Sequence, residues 1–330
     1  MSGVSFSRLL PLVLLVAACA EPPGAPGSAG PRPQLDEEDL WSMIPAEADL
    51  VLWADLAKLR VSPWTRESFQ KVAGDKGAAE PGFDQIRDVD RLVFAKVPAL
   101  RDGASVLVAQ GKIDREPMAK GFTQGQGGSE RSVYRGADLL VRGEEALAFV
   151  GKRTVVSGPT LAVRAAIDCN FGVARVIESE AWFQRMRATL LRGRDAGSLV
   201  AALYVHLQPA TREALMREMG EGGSLEELGV RIDLGEDLDV SAVGAVRTEA
   251  EARDLAGRLA ERVRDARVRP IVAAFGFGSV LDSVQLHAKE NRVYGTAHVS
   301  QKERVEIAER MAVVADTMAK LRKTEEEKPR

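Results

Sequence analysis

The chain has 330 residues, 45% hydrophobic and 28% charged, the mix of a packed globular protein rather than a disordered one. Lys and Arg total 45 against 48 Asp and Glu, a formal charge of −3, which excludes the basic excess of a nucleic-acid binder. Aromatics at 5%, three histidines and two cysteines exclude a base-stacking platform, a histidine-rich metal centre and a disulfide scaffold.

Residues 1–18 read as a leader. Arg8 precedes the apolar run Leu9–Ala18 (LLPLVLLVAA), too short to span a hydrocarbon core that needs about 20 helical residues. It has the length of a signal-peptide core. The run closes on Val16-Ala17-Ala18-Cys19, a branched apolar residue, two small residues and a cysteine. This resembles the lipobox of bacterial lipoproteins. The resemblance implies cleavage before Cys19, diacylation of its thiol, commonly a third acyl chain, and anchorage in a bilayer. Two or more chains hold a protein stably where one holds it reversibly. In that family an aspartate after the cysteine retains the protein in the inner membrane, so Ala20 implies the outer membrane. Acylation would leave Cys169 as the remaining thiol, read here as a small buried residue at a helix end.

Residues 19–35 include Glu21–Pro33 (EPPGAPGSAGPRP), which cannot bury enough apolar surface to order itself and reads as a tether. The folded body then divides into a first unit (36–178), a second unit (179–322) and a charged tail (323–330). In the first unit, Asp49–Asp55 reads as a strand, and Ser62-Pro63 as the start of a helix to about Val72. Strands follow at Asp90–Lys96 and Ser105–Lys112, then a short helix at Pro117–Phe122 and a surface loop at Thr123–Glu130. Two more strands, Asp138–Arg142 and Ala146–Gly151, continue into Val155-Val156, and Pro159 opens a helix to Cys169.

The second unit repeats this order. It has a helix at Trp182–Leu191, a strand at Ser198–Leu207, a helix near Thr211–Met219 and a strand at Asp239–Arg247. Thr248-x-x-Glu251 is a capping box before an amphipathic helix. Ser283–Lys289 and Val293–Val299 form a hairpin around Glu290-Asn291, and Ser300-x-x-Glu303 caps a last helix through Met311, Met318 and Leu321. The fold class expected is α+β: two similar units, each a mainly antiparallel sheet with helices packed on one face.

Candidate chemistry is sparse. His206 ends a strand and reads as a satisfied, half-buried residue. On the hairpin, His287 should face Tyr294 and His298 should face Ser283, leaving the two histidines about 13 Å apart. FGFGS at 275–279 and Gly125–Gly128 lack the lysine of a phosphate cradle and read as turns. Ser68-Phe-Gln-Lys71 has the SxxK spacing without its companion motifs, so it reads as a solvated helix face. Asp233, Glu236, Asp237 and Asp239 read as a solvated acidic turn. No catalytic, cofactor-binding or metal-ligating residue is assigned. Trp41, Trp53, Trp64 and Trp182, each beside apolar neighbours, read as core.

These residues lead to a lipid-anchored, non-enzymatic envelope protein whose partners are the bilayer, through acylated Cys19, and another envelope protein, not nucleic acid. A solute-binding lipoprotein with a cleft between the two units, and a hydrolase whose residues lie far apart in sequence, stay open. A buried Ser or Asp beside His206 or His287 would favour the hydrolase.

Overall fold

The structure, a computed structural model, describes residues 40–62, 85–100, 103–124, 128–192, 198–209, 212–213, 225–269, 272, 277–307 and 310. A 3-10 turn at Leu40–Met43 leads into β1 (Leu50–Asp55) and the helix α1 (Leu56–Val61). The short α2 (Gln85–Asp88), β2 (Val89–Lys96), β3 (Ser105–Gly111) and α3 (Arg115–Thr123) follow. Then come β4 (Ser129–Tyr134), β5 (Ala137–Arg142), β6 (Glu145–Val150), β7 (Thr154–Pro159) and α4 (Thr160–Asn170). A 3-10 turn at Ile177–Ser179 precedes α5 (Ala181–Leu191), β8 (Leu199–His206), β9 (Glu227–Leu234) and β10 (Leu238–Ala245). The last named elements are α6 (Glu249–Arg267), α7 (Gly278–Ser283), β11 (Gln285–Lys289) and β12 (Arg292–Val299), before helical residues 301–307.

The twelve strands of the described residues join one antiparallel sheet in the order β11-β12-β10-β9-β8-β1-β2-β3-β7-β6-β5-β4. Side chains alternate across a strand, so neighbours such as Leu139 and Leu140 on β5, or Val156 and Val155 on β7, enter different cores. One face is covered by the Leu40–Met43 turn, α4 and α5, the other by α1, α3 and α7. This corrects the expectation of helices on one face. The strands carry the sign of it, because Ala146–Val150 on β6 is an unbroken buried run, the pattern of a strand covered on both sides. A smaller cluster of Val246, Ala252, Leu255, Ala256 and Val293 seats α6 on the β11–β12 hairpin. Under α5, Gly229 allows close approach: a Cβ there would sit 2.6 Å from Met186 Sδ and 2.7 Å from Leu190 Cδ1.

Local signals explain most boundaries. Asp55 caps α1 by accepting from Lys58 N at 2.9 Å, and the helix stops at Ser62, extended as the residue before a proline must be. A helix over 63–72 lies outside the described residues. So does most of the one near Thr211–Met219, of which 212–213 are helical. Both capping boxes are present: Glu251 N donates to Thr248 Oγ1 at 3.2 Å while Thr248 N donates to Glu251 Oε2 at 3.0 Å, and Ser300 and Glu303 exchange the same bonds. Glu290, at φ 54, turns the β11–β12 hairpin.

Three local expectations change. Part of the loop expected at Thr123–Glu130 belongs to β4, a polar edge strand that needs few apolar residues. Gly278 opens the helix α7 rather than a turn. The acidic run contributes to two strands: Asp233 lies in β9 and Asp239 in β10, and the turn between them is 235–237. The alternation Leu228, Val230, Ile232, Leu234 marks β9 as a strand.

Candidate functional site

Cys19 and the lipobox residues Val16, Ala17 and Ala18 precede residue 40 and lie outside the described residues, as do Trp64 and the Ser68–Lys71 motif. The first described residues are bonded to a segment far along the chain. Ser42 Oγ donates to Asn170 Oδ1 at 3.2 Å, Ala46 N to Arg175 O at 3.0 Å, and Ile177 N to Ile44 O at 2.8 Å. Pro45 and Val176 form an isolated bridge beside them. Residues 42–46 are therefore stitched to the segment leaving α4.

Next to this junction the register sets three titratable side chains in one row. Asp49, continuing β1, lies beside His206, whose N–H donates to Asp49 O at 2.7 Å, and His206 pairs with Glu227 on β9. Cross-strand neighbours on one face stand about 5 Å apart at Cβ. Trp182 from α5 stacks on the imidazole at 5.4 Å, and Arg185 binds Glu227 at 2.8 Å. Asp49 is 6% exposed, and neither its Oδ1 nor His206 Nδ1 has a hydrogen-bond partner among the described residues. His206 is thus half-buried as expected but not satisfied at that nitrogen.

Burial pushes the Asp49 carboxyl up from its ordinary range, against the opposing pull of Lys96, its own backbone N–H and His206. A carboxyl raised on folding destabilises the native state above its native pKa, and that penalty fades as the pH falls toward the unfolded value. Asp49→Asn is therefore expected to raise Tm by a few degrees at pH 8, with the gain shrinking toward pH 4 in thermal melts. An equal gain at both pH values would refute this.

A second polar row crosses the far end of the same face. Arg231 and Asp233 of β9 are buried together, with Ser198 Oγ donating to Asp233 Oδ1 at 2.6 Å. Asp233 faces Asp239, and Asp239 faces His298. The imidazole lies 3.1 Å from Asp239 Oδ1 through Nδ1 and 3.7 Å from Asp237 Oδ2 through Nε2. The hydrogen bond to Asp239, with the nearby Asp237 and Glu303 charges, raises the His298 pKa from its ordinary value against the opposing effect of desolvation. Asp233 is thus paired with Arg231, and Asp239 with the His298 ring.

The predicted hairpin register holds: His287 faces Tyr294 and stacks on it at 5.1 Å. Ser283 Oγ accepts from His298 N at 2.8 Å and donates to His298 O at 2.7 Å. That hydroxyl serves the backbone of His298, not its ring. Cys169 is buried, with its Sγ donating to Arg175 O at 3.3 Å, and burial pushes its thiol up to about 12. A thiol so raised is no nucleophile near neutral pH. Among the described residues, no group of three His, Cys, Asp or Glu side chains is placed to hold a metal.

The buried Asp beside His206 is the arrangement named above for a hydrolase. Among the described residues the row sets a carboxyl beside an imidazole, with no hydroxyl or thiol bonded to the ring's Nδ1. Sequence reasoning missed Asp49, Glu227 and Arg231, since their importance arises between strands distant in the chain.

No protein-family model matches the chain, and no curated protein matches it. Among solved structures, it is similar to crystal forms I and III of TP0453, at 9% identity and a TM-score of 0.47. These alignments cover 84% and 82% of this chain and 99% and 97% of the respective TP0453 chains. Crystal form IV aligns at 8% identity and a TM-score of 0.46 over 81% of this chain and 95% of that one.

Proposed function

We propose that this chain is a lipid-anchored bacterial cell-envelope protein of the outer membrane, whose α+β body is a non-enzymatic interaction or binding module. The observation that carries this reading is the run Leu9–Ala18 closing on Val16-Ala17-Ala18-Cys19, followed by a Pro- and Gly-rich spacer. The chemistry of the body is in keeping with it, because its buried thiol is raised and Ser283 is committed to a backbone. A cleft between two halves has less support, since β1 pairs with β8 from Leu50↔Val205 to Ala54↔Ala201 along the line where it would open.

The body is further proposed to be two related α+β units, 36–178 and 179–322. Supporting this, the strand order reads 1-2-3-7-6-5-4 outward from β1 and 8-9-10-12-11 outward from β8, matching over the first five strands with β5 and β4 added beyond them in the first half. In each half, a hairpin (β6–β7 or β11–β12) is followed by a helical segment.

Replacing Cys19 with alanine tests the anchor. The variant is expected to stay unprocessed or to leave the membrane fraction, and mass spectrometry of the parent should find acyl chains on the amino-terminal cysteine. A Cys19→Ala protein that is cleaved and still sediments with membranes like the parent, or a parent whose amino-terminal cysteine carries no acyl chain, would overturn the proposal.

A further inference from the structure

The α4 helix ends in a Schellman stop. Gly172 adopts φ 70, its N–H donates to Cys169 O at 2.9 Å, and Val173 N donates to Asp168 O at 2.8 Å. In such a stop the residue after the glycine ordinarily packs against an apolar side chain one turn back. Here that position is Asp168, whose carboxylate is taken by Tyr134 Oη, at 3.0 and 3.1 Å, and by the Arg135 guanidinium. The usual cover for Val173 is therefore missing. Val173 is 59% exposed and Phe171 41%, on a backbone held by four N–H donors from Phe171 to Ala174.

This rigid apolar tip has a definite place. Asn170, Arg175, Val176 and Ile177, on either side of it, are the residues joined to Ser42, Ala46, Pro45 and Ile44, close in sequence to the first described residue, Leu40. Residues 20–39 join Cys19 to the first described residue, a length of chain that reaches at most about 70 Å. A surface tethered over that range meets the bilayer at an effective concentration on the order of millimolar. Two apolar side chains make only a weak contact, and that concentration suffices to populate a weak contact.

We propose that the Phe171–Val173 tip rests on the bilayer that holds the acyl chains of Cys19, orienting the body on the membrane. The inference rests on the anchor reading above. Beside the tip, Arg175 pairs with Glu180 and Arg135 with Asp168, so the contact is apolar and needs no anionic lipid.

The test uses the acylated full chain in phosphatidylcholine vesicles, with an environment-sensitive fluorophore on Ala174→Cys. Cys19 is acylated and Cys169 buried, so the label goes to position 174. A blue-shifted emission, quenched by lipids carrying spin labels in their acyl chains, is expected. It should survive from about 0.1 M to about 1 M salt. Adding Phe171→Ser and Val173→Ser should remove most of the shift while the protein still floats with the vesicles, and Phe171→Leu should retain it. A water-like spectrum in the floating parent would overturn the proposal. So would a shift that grows with the protein-to-lipid ratio, which would assign the tip to a second copy. A parent that does not float sinks the anchor reading itself.

Discussion

Arg231→Met is expected to destabilise the protein by about 3–5 kcal/mol, because it strands the buried Asp233 carboxylate. Arg231 has a side-chain exposure of 0%, sits in a strand with neighbours on both sides, and donates to Asp233 through both Nε and Nη2. Its Nη2 also donates to Ser198 Oγ at 3.0 Å. Removing both charges is a different experiment. The double variant Arg231→Met, Asp233→Leu exchanges a desolvated pair for apolar volume, and is expected to return to within about 1–2 kcal/mol of the parent. Urea unfolding followed by tryptophan fluorescence reads both. A single variant as stable as the parent, or a double variant worse than the single, would show that the pair does not carry this energy.

The second large effect belongs to Phe183. It is fully buried on α5, with its ring 5.3 Å from Trp41, 5.8 Å from Trp182 and 4.8 Å from Tyr204. These rings join α5, the Leu40–Met43 turn and β8. Truncation to alanine removes the centre of the cluster and leaves a cavity whose walls belong to three elements, so little collapse is possible. A loss of about 3–5 kcal/mol is expected, with Phe183→Leu losing clearly less. Hydrogen exchange should show the greatest loss of protection at residues 40–46 and in α5. Uniform loss over the whole sheet would mean that the cluster does not set the local stability of this junction.

Both capping boxes and the β11–β12 register were legible in the sequence. Each depends on residues within a few positions of one another. The expectation that Ser283 and His298 face each other is of this kind, since a two-residue turn sets the register of a hairpin. Trp41 and Trp182 are core residues, as their apolar neighbours indicated. The polar strands were harder to read. β4 lies at the edge of the sheet and has little apolar surface to advertise it, while the charges of β9 drew attention away from its alternation.

By itself, the sequence determined most of the apolar strands, the longer helices and the two capping boxes, because periodicity and capping act over one or two turns of chain. It also supplies the whole basis for the proposed anchor. Only the tertiary structure decided that β1 pairs with β8, closing twelve strands into one sheet with helices on both faces. The same pairing set Asp49 beside His206 and Glu227. Alternation says which side chains share a face, but the register between strands some 150 residues apart is chosen by packing across the whole sheet.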